Sequence, residues 1–253
     1  TRAMTGRQVA LVVDKSPPHP GPAALEVEGL CVEHDGRSVV DDVSFTVHAS
    51  EIVGIAGVAG NGQRELIESI VGLRRPGRGS VRVLGTTVTR SSVAEHRNAG
   101  LAHIPEDRAV TGSALSMSAA ENLGMGEHHK PPLARRGFLR RAAWRARAVE
   151  LIDRFDIRIT GPEAAVSTLS GGNLQKVVVA RELSHGAGVL VAEERDAGRA
   201  VLLVSAELTE IMALADRILV MYEGRIVADL AAGEADEARL GLLMAGGGQR
   251  SAS

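Results

Sequence analysis

A short apolar run, "EIVGIA" at 51–56, passes directly into "GVAGNGQRE" at 57–65 and then into "QRELIESIVGL", whose apolar residues recur at helical spacing. Strand, glycine turn and helix in that order restrict the fold severely. A nearly continuous apolar strand must be covered on both faces, which is the situation of a parallel sheet. The turn delivers main-chain NH groups to a helix start, where anions bind. Gly57 and Gly62 stand at the spacing of G-x-x-x-x-G-K-[ST], the loop that cradles nucleotide phosphates. The side chains depart from that loop. Its lysine position holds Gln63, which carries no charge, and its Ser/Thr position holds Arg64, which has no oxygen to offer magnesium.

The surrounding sequence supplies the rest of an α/β domain. "ALEVEGLCV" and "SVVDDVSFTV" alternate and are β-branched, as half-buried antiparallel strands are. Further strands are expected at 79–89, 101–104, 189–191, 201–205 and 217–222, with a helix near 207–215. Residues 118 to about 155 are rich in Ala, Arg and Leu and predict helix. "LSGGNLQKVVVARELS" at 169–184 opens on a serine and two glycines and continues as an amphipathic helix. Alternating strands and helices predict a mainly parallel sheet. The first 24 residues end in the proline-rich "KSPPHPGPAA", a linker composition. "RAMTGR" (2–7) faintly echoes "LLMAGG" (242–247), so the chain is expected to begin with the tail of a similar preceding copy.

Bulk properties remove several functions. The 253 residues suffice for one large domain or two small ones. A formal net charge of −2 gives no general electrostatic basis for nucleic-acid binding. Aromatic content of 2% is too low for a base-stacking platform. Cys31 is the one cysteine, so no internal disulfide can form. No run of about eighteen uncharged apolar residues is present, and the first residues lack the apolar core of a signal peptide. These features predict a soluble intracellular chain.

The order of glycine loop, helical insertion and "LSGGN" followed by "LQKVVVAREL" resembles the nucleotide-binding domain of ATP-binding cassette (ABC) transporters, from about residue 25 to 245. "GIAGVAGNGQ", "IPEDR", "AENL" and "VMYEGRIV" bring it closest to the C-terminal ATPase half of bacterial importers for simple sugars and nucleosides. The resemblance implies an ABC-type core with a mainly parallel sheet, an antiparallel β subdomain and a helical signature subdomain at about 118–184. It assigns 1–24 to a preceding cassette and linker, and 246–253 to a disordered tail. It implies a phosphate cradle at Gly57, Val58, Ala59, Gly60, Asn61, Gly62, Gln63 and Arg64. It also implies a signature at Ser170, Gly171, Gly172 and Asn173 that faces the γ-phosphate held by a second cassette. The alternative for Ser170 is a plain helix N-cap, and for Arg64 a solvated residue at a helix start. The family's Q-loop glutamine falls on Glu106 and its switch histidine on Ala206.

By that resemblance this is a degenerate half. ATP with Mg2+ would be hydrolysed mainly at the partner's loop, and no catalytic residue or metal ligand is expected in this chain. Its implied partners are a cognate N-terminal cassette in the same polypeptide, an integral membrane permease and, indirectly, an extracytoplasmic solute-binding protein, with no nucleic acid. It would sit on the cytoplasmic face of the membrane through the permease. A regulatory or structural module without a membrane partner is the main rival, and an independently competent ATPase is disfavoured by Gln63, Arg64 and Ala206.

Two stretches need separate readings. "VLVAEERDAGRAVLLVS" imitates a Walker B strand, with Glu193 as the magnesium carboxylate and Glu194 as the base. Consecutive parallel strands, however, need a crossover of roughly a dozen residues or more. The stretch 192–200 is too short, so a segment of roughly twenty residues is expected to be missing between Ala192 and Glu194, disordered or deleted. Arg135, Arg136, Arg140, Arg141, Arg145 and Arg147 make "ARRGFLRRAAWRARA" strongly basic. That stretch fits either a contact with the membrane subunit or anionic headgroups, or a solvated helix face beside a Phe138/Trp144 stripe. His128 and His129 have no carboxylate or cysteine spaced to make a metal site. His34 lies where many cassettes carry an adenine-stacking aromatic, and is expected to be a loop residue without that role.

Overall fold

Every residue of β3 (Ile52–Ala56) is buried, as its unbroken apolar sequence requires. A computed structural model describes residues 20–107, 109–192, 200–205 and 207–247. In it β3 lies inside a six-stranded sheet, beside β11 (Arg217–Tyr222) on one flank and β10 (Ala200–Val204) on the other. Beyond β10 come β9 (Val189–Ala192) and β6 (Leu101–His103), all parallel to β3. The opposite edge is β12 (Arg225–Ala231), antiparallel to β11 through a tight turn at Glu223 and Gly224.

Both faces of this sheet are covered. On one, Val53 and Ile55 pack with Leu66 and Ile70 of α1 (Gln63–Ile70) and with residues of a second, antiparallel sheet. That sheet has the order β2 (Arg37–His48), β1 (Ala23–His34), β4 (Arg78–Val83), β5 (Thr86–Thr87). On the other face, Ile52 joins Val201 and Leu203 beneath α5 (Gly171–Leu183), while Ala56 meets Ile211 of α6 (Leu208–Leu214) and Leu240 of α7 (Glu237–Met244). Gly54 is small for a reason: a Cβ there would lie 2.6 Å from Ile211 Cγ2.

The region expected to be helical from 118 to 155 is interrupted. It forms α3 (Ala119–Gly124), then a hairpin of β7 (Ala134–Arg135) and β8 (Phe138–Leu139), then α4 (Arg141–Arg154). Arg136 and Gly137 both take positive φ, the geometry of a two-residue hairpin turn. Helical composition around "RRG" concealed that turn. Phe138 and Trp144 do not form one stripe. Phe138 is 79% exposed on the hairpin, whereas Trp144 packs over Gly124 and donates its indole NH to the Leu133 carbonyl at 3.1 Å. Also beyond the sequence reading are α2 (Val93–Asn98), β12 and α7.

α3, α4 and the N-terminal part of α5 share their own core, built on Leu123, Leu151, Val166, Leu174 and Val177. The C-terminal part of α5 docks on the sheet through Val178 and Leu183. It is fastened there by Glu182, which is 1% exposed. The carboxylate bridges Arg97 of α2 and Arg181, each at 2.7 Å, and accepts the His103 main-chain NH at 3.3 Å. Burial alone would raise the Glu182 pKa, and the two guanidiniums outweigh it and hold the carboxyl below its ordinary 4.5.

The expected consequence is measurable by urea unfolding. Glu182→Gln leaves two half-buried cations without a counter-charge and should cost on the order of 3 kcal/mol at pH 7. Because the folded pKa is depressed, the wild-type advantage is full above the unfolded pKa and is lost as pH falls through the folded one. The gap between wild type and variant should therefore narrow progressively below about pH 4.5. A gap independent of pH would show that the charge is not what Glu182 contributes.

Candidate functional site

The glycine loop leaves the C-terminal end of β3 and enters α1, so it sits at the carboxyl edge of the parallel sheet, the usual ligand side. Its conformation is held from the far end of the sequence. Asn61 is buried, donates through Nδ2 to the Met221 carbonyl at 3.2 Å and accepts the Glu223 NH at 3.3 Å. Gly224 NH reaches the Asn61 carbonyl at 3.2 Å, and Asp41 NH reaches the Gly224 carbonyl at 2.8 Å. The β11–β12 turn thus clamps the loop to β2. Gly62 has φ of 95°, and a Cβ there would fall 2.0 Å from the Val39 carbonyl oxygen, which excludes other residues at this point. Val58, Ala59 and Gly60 form the exposed crest.

Gln63 turns back over its own loop. Its Nε2 donates to the Val58 carbonyl at 3.2 Å, and a Cβ on Gly57 would lie 2.2 Å from that nitrogen. The amide therefore lies across the start of the cradle. Arg64 turns the other way. Its guanidinium is 84% exposed and pairs with Glu68 at 2.9 Å, along the helix and not over the loop. The Glu68 hydrogen bond is the main cause of a raised Arg64 pKa, with a weaker through-space attraction from exposed Glu106. Of the two readings of Arg64, the geometry matches the solvated helix-start residue.

Within the loop the Asn61 NH is used internally, on the Val58 carbonyl at 3.2 Å. At the two positions that ordinarily meet the phosphate and its magnesium, neither Gln63 nor Arg64 offers an anionic or hydroxyl ligand, while the exposed Glu106 carries a carboxylate. Among the described residues no cluster of three His, Cys, Asp or Glu side chains could hold a metal ion. Glu193, Glu194 and Ala206 lie outside the described residues. β9 and β10 do lie side by side in one parallel sheet, with Ala200 opposite Val189 and Leu203 opposite Ala192. The expected break between Ala192 and Glu194 likewise falls outside the described residues.

The signature residues are on a different core from the loop. Ser170 is the N-cap of α5 with extended φ and ψ, but its hydroxyl makes no capping bond to the helix. It accepts instead from Asn173 Nδ2 at 3.0 Å, and Asn173 Oδ1 accepts the Arg158 NH at 2.8 Å. Ser170, Gly171 and Gly172 are exposed, and nothing lies within 4 Å of a Cβ built on either glycine. A thirteen-residue helix thus opens at an exposed position with two glycines that carry no side chain.

Sequence reading missed Asn61 as the loop's clamp and Gln63 as its cover. Both depend on contacts that spacing does not reveal. His34 lies at the end of β1, with Nδ1 3.5 Å from Arg74 and Nε2 3.7 Å from Asp35. His128 and His129 pack edge-to-face at 5.4 Å.

Comparison with known proteins extends these observations. A family model described as ABC transporter matches residues 40–197. The chain is 38% identical to the guanosine import ATP-binding protein NupO of Bacillus subtilis (strain 168), over 98% of this chain and 53% of that protein. It is 35% identical to the nucleoside import ATP-binding protein NupA of Lactococcus lactis subsp. cremoris, over 96% and 52%. The ribose import ATP-binding protein RbsA of Corynebacterium glutamicum is 37% identical over 91% and 47%. The chain thus spans about half the length of the curated relatives it matches. The NupO match runs over 270 positions, more than the 253 residues of this chain, so part of the matched stretch of that relative has no counterpart here.

Among solved structures, an ATP-binding subunit of an ABC transporter superposes with a TM-score of 0.69 at 20% identity, covering 88% of this chain and 99% of that one. A dimeric post-hydrolysis ATP-binding cassette bound to ADP and Pi superposes at 0.66 and 16% identity, over 82% and 98%. These superpositions show a shared fold, and with the family model and the curated relatives they establish that the chain belongs to the ABC transporter family.

Proposed function

We propose that this chain is the ATP-binding half of an import ATPase for nucleosides or simple sugars, in which its own loop is catalytically degenerate and its signature serves a partner cassette. One observation carries this reading: Gln63 lies over its own loop, while the helix opened by Ser170 starts at an exposed position with two glycines. Relatives named for guanosine, nucleoside and ribose import support the cargo class. Their roughly doubled length supports a second cassette in the same polypeptide. A permease would hold the pair at the cytoplasmic face of the membrane and take cargo from a solute-binding protein.

Each half of such a pair has a separate task. The main-chain cradle at 57–63 holds phosphate by NH donors alone. The α5 N-terminus contributes its dipole and free NH groups toward a γ-phosphate bound on the partner. ATP supplies the phosphoanhydride whose cleavage drives transport. The unmatched stretch of the NupO alignment supports a missing segment near Ala192. It is of the size of an ordinary strand-to-strand crossover, and its loss would remove the acidic strand end and the loop that follows it.

The purified chain should therefore hydrolyse ATP at or near background in a phosphate-release assay. Preorganised donors to a transferring phosphate are worth on the order of 10²–10³ in rate each, and this loop lacks its cation. Gln63→Lys alone should restore little, because Arg64 still offers no hydroxyl for the metal. Magnesium-dependent turnover of several per second by the chain would sink the degenerate-loop reading.

Transport by the whole protein separates the two roles. Ser170→Arg should abolish ATP-driven uptake, since a bulky cation at the helix start would occupy the phosphate position. Gln63→Ala should be far milder, as the amide brings no charge to lose. Uptake measured at matched expression gives the asymmetry directly. Equal, severe losses would show this loop to be catalytically engaged, and a silent Ser170→Arg would remove the signature role.

A further inference from the structure

From His128 to Val149 the sequence contains no acidic residue, while Lys130, Arg135, Arg136, Arg140, Arg141, Arg145 and Arg147 fall within it. The fold gathers most of this charge around one projection. β7 and β8 pair Ala134 with Leu139 and Arg135 with Phe138, with Arg136 and Gly137 at the tip. Arg140 follows directly, and Arg141 and Arg145 are one helical turn apart at the start of α4. Arg135, Arg136, Arg140, Arg141 and Arg145 are all exposed, and their guanidiniums make no hydrogen bond or ion pair among the described residues. Arg147 differs, being half-buried and held by Glu127 at 2.6 Å and by the Ser184 hydroxyl at 3.1 Å.

The apolar part of the projection is equally exposed. Phe138 is 79% and Leu139 59% exposed. Their neighbours are not: Leu133 and Ala134 are buried, and the Leu133 carbonyl accepts both the Trp144 indole NH at 3.1 Å and the Arg140 NH at 2.8 Å. The base of the hairpin is therefore pinned to α3 and α4, and a short rigid tip carries a phenyl ring and an isobutyl group outward.

We infer that this hairpin is a membrane-surface contact, in which Phe138 and Leu139 enter the interfacial layer of an anionic bilayer and the surrounding arginines pair with lipid phosphates. The match is in the arrangement of charge. A bilayer surface presents phosphates in a plane with apolar chains just beneath it, and the hairpin presents its two apolar groups among five exposed arginines, of which Arg141 also feels the Glu121 carboxylate. Guanidinium forks suit phosphate oxygens bidentately, and basic residues close to an anionic surface add attraction individually. An acidic protein segment would instead need discrete carboxylates set around a pocket for the phenyl ring. This contact is separate from any interaction with a permease and does not require the loop or the signature to function.

Co-sedimentation of the purified chain with vesicles tests it directly. Binding is expected to vesicles of phosphatidylglycerol mixed with phosphatidylcholine, to weaken as salt rises, and to be absent with phosphatidylcholine alone. Arg135→Glu with Arg136→Glu should lower the partition coefficient by at least about tenfold. Phe138→Ala with Leu139→Ala, which alters only exposed side chains, should lower it severalfold. Arg75→Glu, an exposed arginine outside the hairpin, should leave it nearly unchanged. Trp144, the one tryptophan, gives a second readout through quenching by brominated lipid. Equal binding to neutral vesicles, or anionic binding untouched by the hairpin variants, would overturn the lipid contact. So would loss of permease association in those variants with no vesicle binding by the wild type.

Discussion

The complete burial of β3 is the constraint from which the rest of this structure follows. Five consecutive residues that all avoid water can be satisfied only by neighbours on both sides and layers on both faces. β10 and β11 supply the main-chain partners, and their central residues are buried like those of β3. The antiparallel sheet with α1 closes one face and α5, α6 and α7 the other. Burying a Val or Ile side chain stabilises a fold by roughly 1.5–3 kcal/mol each, so displacement of β3 would forfeit several such contributions together. Its C-terminal end is consequently among the best-fixed points of the chain, and the glycine loop begins there.

α5 is the second fixed element, because it belongs to two cores at once. Its first turns pack with α3 and α4, and its last turns pack on the sheet. The buried Glu182 sits at that second contact and joins three elements of the structure through Arg97, Arg181 and the His103 NH. A carboxylate removed from water in this way is stable only while both guanidiniums stay in place. The orientation of the signature helix is therefore tied to the sheet by a specific ionic contact as well as by apolar packing, and its exposed N-terminus inherits that orientation.

Much of this was legible in sequence for identifiable reasons. β3, β11 and α5 were readable because their apolar patterns are local and their boundaries are marked by Gly57, Glu223 and Ser170. The antiparallel strands were readable from alternation. What stayed hidden depends on partners far away in the chain. Asn61 bonds to residues some 160 positions later, and nothing in "GNGQ" discloses that its side chain faces inward. The Arg136–Gly137 turn was obscured because arginine and alanine on either side favour helix, and only the pairing of Ala134 with Leu139 decides the matter. The rotation of Gln63 toward Val58 follows from a hydrogen bond that no spacing rule contains.

The contacts that shape the glycine loop are independent of those that start α5. Catalysis at a phosphate loop depends on individual side chains, a lysine and a hydroxyl, and each can be replaced without disturbing the backbone. The shape of the loop here depends on other things: Gly62 against the Val39 carbonyl, and Asn61 between Met221 and Glu223. Those contacts join β2, β3 and the β11–β12 turn, so they stabilise the fold whether or not phosphate is hydrolysed. A signature presents mainly main-chain NH groups and small residues, and it persists as long as α5 starts at Ser170. The side chains at 63 and 64 can therefore vary while the loop's backbone contacts stay in place, and the start of α5 is set by separate contacts.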